Sequence, residues 1–546
     1  MPNSTATFSI GGNNVFLTTG RSTVSRCLGA VAVLKDFSKT GVMDRIARVL
    51  DGFVSRPRGR FVYTNADLVR QIQTMLIMGM PDFNDADELR QDELVRMSTL
   101  ICSDSTLCRF YATLENVCKV LQARALEKDG VKLEDLKKPD PRRVRTPLID
   151  ALNDLLLDSA IELLSTTSNP EYVVFDVDST PVQTFGNQGE TAFDHHYHVK
   201  GYLPLFGVIN GIPALVQNAP GATYGAALML QHAERVVKKL QASFPKATII
   251  FRADTGFANN ELLDLLNKLG CRYVVGCNHS GCKPIQSAVM KALSEARAAH
   301  PERFPQAFHD FFELQLDKPL PEPTDEDRRQ EGFRCCGCVD YAANSWNHER
   351  LVAFRLQFDP KYKNANLRCV QTNMTEGELL GFTKGRGQRK DRSLPVELFE
   401  GTGLRAEFAV ELYEAAFSDR GTDERSNQEW KVQCHAKCVS CAGFFANSIR
   451  MIFAAFFHLM MERTRRNLLA FLVVKAPWRS RRSLKPNVTQ SHKAEKILSG
   501  PLIQTFRDQL ITRPAQITRH KNGSLSIKTG YMRVEFDAAL RYLLSL

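Results

Sequence analysis

No uninterrupted apolar run in this 546-residue chain approaches the length of a membrane span. The longest, residues 451–461, is broken by His458 and is about half of the roughly 20 residues a span needs, so it reads as a buried core helix. The opening residues, MPNSTATFSIGGNN, lack the basic start and apolar centre of a secretory signal, and the expectation is a cytoplasmic protein with no membrane partner. A second zinc-knuckle pair is also missing. Of the 14 cysteines only Cys438 and Cys441 have the two-residue spacing, and no matching pair follows at a suitable distance. Without an export signal, that pair, Cys434 and the cluster Cys335, Cys336 and Cys338 read as reduced, buried or incidental thiols rather than a disulfide framework. Acids are scarce in one place. Across residues 462–533, roughly 16 Lys and Arg face three acids, Glu462, Glu495 and Asp508, and this segment accounts for the net charge of +11. Such a segment suits either a polyanion partner or a solvated basic face.

What is present is an ordinary globular balance, 43% apolar and 24% charged, with enough length for two to four domains. Residues 38–128 read as helical, from segments such as DRIARVLDGF and ADLVRQIQTMLIMGM, with Asn65 as an N-cap. A polar, basic stretch with prolines at 139, 141 and 147 follows and reads as a linker or as a segment that tracks DNA. From Tyr172 the pattern becomes strand-like: YVVFDVDST, then HYHVKGYLPLFGVING and IPALVQNA joined by an Asn210-Gly211 turn. A helix over 224–240, the strand ATIIFRAD, a helix closed by Gly270 and the strand CRYVVGC complete the run. Three antiparallel strands, helix, strand, helix, strand is the order of an RNase H-like core.

The expected organisation is therefore α/β. It has a helical N-terminal region and linker (1–147), an RNase H-like core (148–280), and a strand-rich insertion (281–409). Closing helices of the core (410–474) and a basic C-terminal region (475–546) follow.

Asp178 lies on the polar side of the first strand, with Asp176 two residues back on the same side, and Asp254 ends the fourth strand. First and fourth strands are neighbours in such a sheet, so the carboxylates converge, and like charges so close call for a cation. Hard oxygen donors suit Mg²⁺ or Mn²⁺, and a pair of ions supports in-line phosphoryl displacement. A third carboxylate comes from FSDRGTDERSNQEWK, where Phe417, Arg420, Glu424, Asn427 and Lys431 share one helical face at spacings of three and four. Glu424 there could hold metal while Arg420, Asn427 and Lys431 face DNA. Arg420 pairing with Glu424 on a solvated helix fits the same spacing.

These blocks resemble those of the bacterial DDE insertion-sequence transposases. FxxRxxxExxxxxxK reproduces their Tyr-x2-Arg-x3-Glu-x6-Lys signature with Phe417 at the Tyr position, RADTGF resembles their second block and DVDST their first. DADELRQDELVR, STLCRF, GYLPL and FFANSIRM extend the likeness over residues 45–470, and the chain is most similar to the insertion-sequence family numbered 1380. The resemblance implies cleavage at terminal inverted repeats and strand transfer into target DNA. It implies a homodimer in the end complex, with Asp178, Asp254 and Glu424 as ligands of Mg²⁺ or Mn²⁺ (Asp176 the alternative first ligand). It also implies DNA contacts from Arg420 and Lys431. Phe417 lacks the hydroxyl of the family's Tyr.

Three further features have two readings each. The run Asp194-His195-His196-Tyr197-His198 reads as a metal group, with His196 and His198 on one strand face, or as satisfied or DNA-facing residues. Trp346 reads as a stacking residue for a flipped base or as a buried strand residue. The turn GRGQR at 385–389 reads as a phosphate grip or a loop. Two other functions share the core: an RNase H-like nuclease or resolvase, and a non-cutting DNA-binding protein derived from a transposase. The 170 positions between Asp254 and Glu424 speak against the first, and the presence of all three carboxylates against the second.

Overall fold

A computed structural model describes residues 5–10, 13–18, 23–137, 140–277, 283–304, 306–313, 325, 333–342, 346–359, 364–384, 402–418, 421–475, 503–512, 514–519, 525–529 and 534–545. The chain forms two compact units. Val120–Gln428 makes one, and Met1–Lys119 together with Glu429–Leu546 makes the other.

The Val120–Gln428 unit is α/β, built on one eight-stranded mixed sheet. In chain order its strands are β1 (Tyr172–Ser179), β2 (Leu205–Ile209), β3 (Ile212–Gln217), β4 (Thr248–Ala253), β5 (Arg272–Cys277), β6 (Phe333–Tyr341), β7 (Arg350–Asp359) and β8 (Asn364–Thr372). Across the sheet the order is β6-β7-β8-β5-β4-β1-β2-β3. β1, β4 and β5 run parallel, and the remaining pairs are antiparallel. Val173, Val174, Phe175 and Val177 of β1 are all buried, as befits a central strand covered on both faces. The expected tight turn joins β2 to β3, with Asn210 and Gly211 both at positive φ (46° and 79°). The Asn210 side chain also reaches β1, accepting from the Val174 amide at 2.7 Å.

Helix α1 (Pro147–Thr167) packs on β3, the edge strand. Buried Asn153 donates to the Val216 carbonyl and accepts from the Val216 amide, both at 2.9 Å, so the edge is partly paired by a side chain. Helices α2 (Gly225–Ser243) and α3 (Asn260–Lys268) follow as expected, and Gly270 closes α3 at φ 68°.

Two expectations are corrected here. HYHVKGYLPLFGVING is not one strand. Residues 195–198 form a turn, because the Asp194 carboxylate accepts from the amides of His196 and Tyr197 at 2.8 and 3.0 Å. Val199–Tyr202 then pairs with Val182–Gln183 and Ala192–Asp194 in a small separate sheet. His196 and His198 consequently lie on a turn, with His198 at φ 55°. The 281–409 segment carries helices (Lys283–Ala299, Gln306–Glu313, Glu376–Thr383) as well as strands, and its three strands extend the main sheet through β8 on β5. The thiols of Cys335, Cys336 and Cys338 on β6 are buried among core side chains.

In the other unit, the helices Leu28–Lys39 and Asn65–Met78 pack against the long helix Phe444–Lys475, Val42–Asp51 packs on those two, and the ring of Tyr111 of Asp104–Lys128 lies 6.5 Å from that of Phe453 of the long helix. Asp36 accepts from Thr464 at 2.6 Å and from Arg463 at 3.1 Å, and the Arg507 guanidinium donates to the Leu76 carbonyl at 2.7 Å. Thr64, not Asn65, is the N-cap. It forms a capping box with Asp67, while Asn65 is buried and donates to Asp51 and to the Val54 carbonyl. The stretch Phe444–Leu468 is long and apolar enough to cross a membrane, yet its apolar window is buried and it serves as the core helix that the 451–461 run suggested. All described cysteines are free thiols. The C-terminal strands Ala515–Arg519 and Leu525–Thr529 pair with each other, and the first also pairs with Thr23–Ser25.

Candidate active site

β1 and β4 are in parallel register, Asp176 opposite Arg252 and Val177 opposite Ala253. Asp178 is therefore level with Asp254, the residue that follows β4. Asp178 is half-buried. One of its oxygens accepts from the Ser179 amide at 2.9 Å and the other from the Asn427 side-chain amide at 2.7 Å. Asp254 caps the turn Thr255–Phe257 and accepts from the Gly256 amide at 2.8 Å. Both carboxylates act on the phenol of Tyr197. Burial first, then the negative charges of Asp178, Asp254 and Asp194, hold it above the ordinary tyrosine range, so it stays protonated.

Asp176 has a different environment. It is 4% exposed and gripped at both oxygens by Arg252, with Nη2 to Oδ2 at 3.0 Å, while Nη1 of the same guanidinium donates to the Ala416 carbonyl at 2.7 Å.

The segment of the third block is not one continuous α-helix. α4 (Gly421–Gln428) is flanked by two π-helical turns, Glu411–Phe417 and Glu429–Gln433. The wider π turns break the α-helical ruler that grouped Phe417 through Lys431 on one face. Glu424 lies on α4, but its side chain is outside the described residues, as are Arg420 and the 385–389 turn. Lys431 belongs to the Glu429–Gln433 turn in the other unit. Asn427, expected at DNA, is 8% exposed and turned toward Asp178. Ser426 beside it donates to the Gly211 carbonyl at 3.4 Å, seating α4 against the β2–β3 turn. Phe417 packs on Tyr413 with ring centroids 5.7 Å apart, a core role that needs no hydroxyl.

Among the described residues, no cluster of three His, Cys, Asp or Glu side chains is placed to hold a metal, neither at the histidine run nor at the Cys434, Cys438 and Cys441 group. Trp346 sits in the β6–β7 connection, half-buried between the Tyr341 ring at 5.4 Å and the Arg350 guanidinium at 4.5 Å. Sequence reasoning passed over Tyr197 as a neighbour of the carboxylates. Its one signal was an aromatic residue in the connection that leads out of the first strand.

The family model described as "Transposase DDE domain group 1" matches residues 12–476. The chain belongs to this family of transposases. A solved structure similar to this DDE-family chain is the piggyBac transposase synaptic complex with hairpin DNA, determined by cryo-EM. Identity is 11% and the TM-score 0.33, over 87% of this chain and 81% of that one. No curated protein sequence matches this DDE-family chain.

Proposed function

We propose that this chain, as a DNA transposase, cleaves at the terminal inverted repeats of its element and joins the ends to target DNA. In this reading the catalytic unit is an RNase H-like core of the insertion-sequence family numbered 1380. The hydrogen bond from Asn427 to Asp178, at 2.7 Å, carries the reading. It ties the helix bearing Glu424 to the first strand's carboxylate, level with Asp254. The sheet order β3-β2-β1-β4-β5, with β1, β4 and β5 parallel, supports the same core.

The donor set fits divalent metal. Asp178 and Asp254 stand level at the ends of neighbouring strands, and hard oxygens of this kind suit Mg²⁺ or Mn²⁺. Asp178, Asp254 and Glu424 would hold the ions, and Asp176, occupied by Arg252, is the weaker candidate. Bound ions supply charge neutralisation at the scissile phosphate and an activated attacking oxygen. The chain's own part is orientation: the Ser179 amide and Asn427 fix both oxygens of Asp178, and the Gly256 amide fixes Asp254. Arg420 and Lys431 are assigned to transposon-end phosphates, and a homodimer to the end complex. The work takes place on DNA in the cytoplasm.

The test uses linear DNA carrying the inverted repeats that flank the reading frame. Asp178→Ala, Asp254→Ala and Glu424→Ala should each abolish end cleavage in Mg²⁺ while the ends are still bound. Near wild-type cutting by any two of the three would sink the assignment.

A further inference from the structure

The small sheet between β1 and β2 presents aromatic rings to solvent rather than to the core. Phe185 is 89% exposed, and Phe193 and Tyr197 are also exposed. Tyr224, at the start of α2, is 78% exposed. Large rings left in water are costly, and a cluster of them calls for a partner. The loop that carries Tyr224 is seated on the hairpin that carries the other rings. The Gly221 amide donates to the Gly201 carbonyl at 3.0 Å, and a side chain at Gly221 would collide with the Ala192 carbonyl, so the loop leading to Tyr224 lies on the hairpin. Gly225 fits against Ser179 and Phe257, which places Tyr224 at the ends of β1 and β4. Lys200, exposed on the same hairpin, supplies a cation.

We propose that this surface is a stacking platform for unpaired bases of the DNA strand that crosses the carboxylates, with Phe185 and Tyr224 as its principal rings. Exposed aromatic faces beside a cation match single-stranded nucleic acid, whose bases offer faces for stacking; a paired duplex keeps those faces inside. The platform would therefore hold bases that separate next to the scissile phosphate, and the substrate at that step is locally melted DNA. The inference rests on the proposed transposase reading for its choice of DNA as partner.

Binding of the full chain is measured in EDTA, so that no cutting occurs. The probes are a fluorescent oligothymidylate of about twenty nucleotides and a fully paired duplex of equal length. Phe185→Ala and Tyr224→Ala should each weaken oligothymidylate binding by about 5- to 150-fold and leave duplex binding unchanged. Phe185→Tyr and Tyr224→Phe, which keep a ring, should bind as wild type does. Unchanged oligothymidylate binding in both alanine variants overturns the platform, and so does an equal loss on both probes. The two readings fail separately. Ring-dependent binding by a chain that never cuts inverted-repeat DNA would retire the transposase mechanism and keep the platform. Efficient cutting by a chain indifferent to the rings would do the reverse.

Discussion

At Asn427 one side-chain amide orients a carboxylate 249 positions away. Its nitrogen donates to Asp178, and its oxygen is buried with no partner among the described residues. Asn427→Ala should therefore leave stability within about 1 kcal/mol of wild type, since the lost bond and the removed unsatisfied oxygen offset each other. Cleavage should fall about 10- to 100-fold, as when a group that orients a ligand is lost. Parallel thermal unfolding and cleavage assays check both halves, and a variant that is folded and fully active would show that Asp178 needs no such support. Asp176 and Arg252 make the opposite case. Their pair is buried at both ends, 4% and 2% exposed, so Arg252→Met strands a charge and should cost about 3–5 kcal/mol. The double variant Asp176→Leu with Arg252→Met should recover most of that loss in denaturant unfolding. Failure to recover would mean that the Arg252 bond to Ala416, not the ion pair, was the larger contribution.

Among the elements, the π turn Glu429–Gln433 begins on a buried acid that has an arginine and a histidine as neighbours. Glu429 accepts from Arg465 at 2.6 Å and lies 3.2 Å from His458 Nε2. Burial pushes its carboxyl up, but the bonds from His458 and Arg465 outweigh that and pull it down to about 2. A carboxyl lowered on folding stabilises the protein above its unfolded value near 4.5 and loses that contribution as pH falls toward 2. The contribution is about 3 kcal/mol. Wild type and Glu429→Gln should thus converge in stability between those two pH values, and a gap that stays constant would refute the assignment. The central strand β1 and the β2–β3 turn, by contrast, were legible in advance. Valine-rich β1 and the Asn210-Gly211 turn announce themselves locally. The Cys-rich strand β6 did not, because both its faces are buried and no alternation survives. Nor did the π turns: the spacings of three and four from Phe417 to Lys431 satisfy an α-helix, and tertiary packing overrode them. Asp178 and Asp254 were legible as a pair because strand ends are local signals. The Asn427 bond was not, since it depends on where a distant helix docks.

For the molecule as a whole, the Val120–Gln428 unit is continuous in sequence, and the other is assembled from the two ends of the chain. A fragment spanning 120–428 should therefore unfold cooperatively by itself with native-like near-ultraviolet circular dichroism, whereas 1–119 alone should not. A molten 120–428 fragment would show that the boundary does not mark a folding unit. The split has a further consequence during synthesis. Helices such as Asn65–Met78 leave the ribosome with apolar faces whose partner, the Phe444–Lys475 helix, does not yet exist. The 309 residues of the continuous unit must be made first, which takes roughly 15–60 s at bacterial and eukaryotic elongation speeds. For that interval the N-terminal segment shows its apolar faces to any holdase present, and the yield of folded protein is expected to fall when chaperone capacity is limiting.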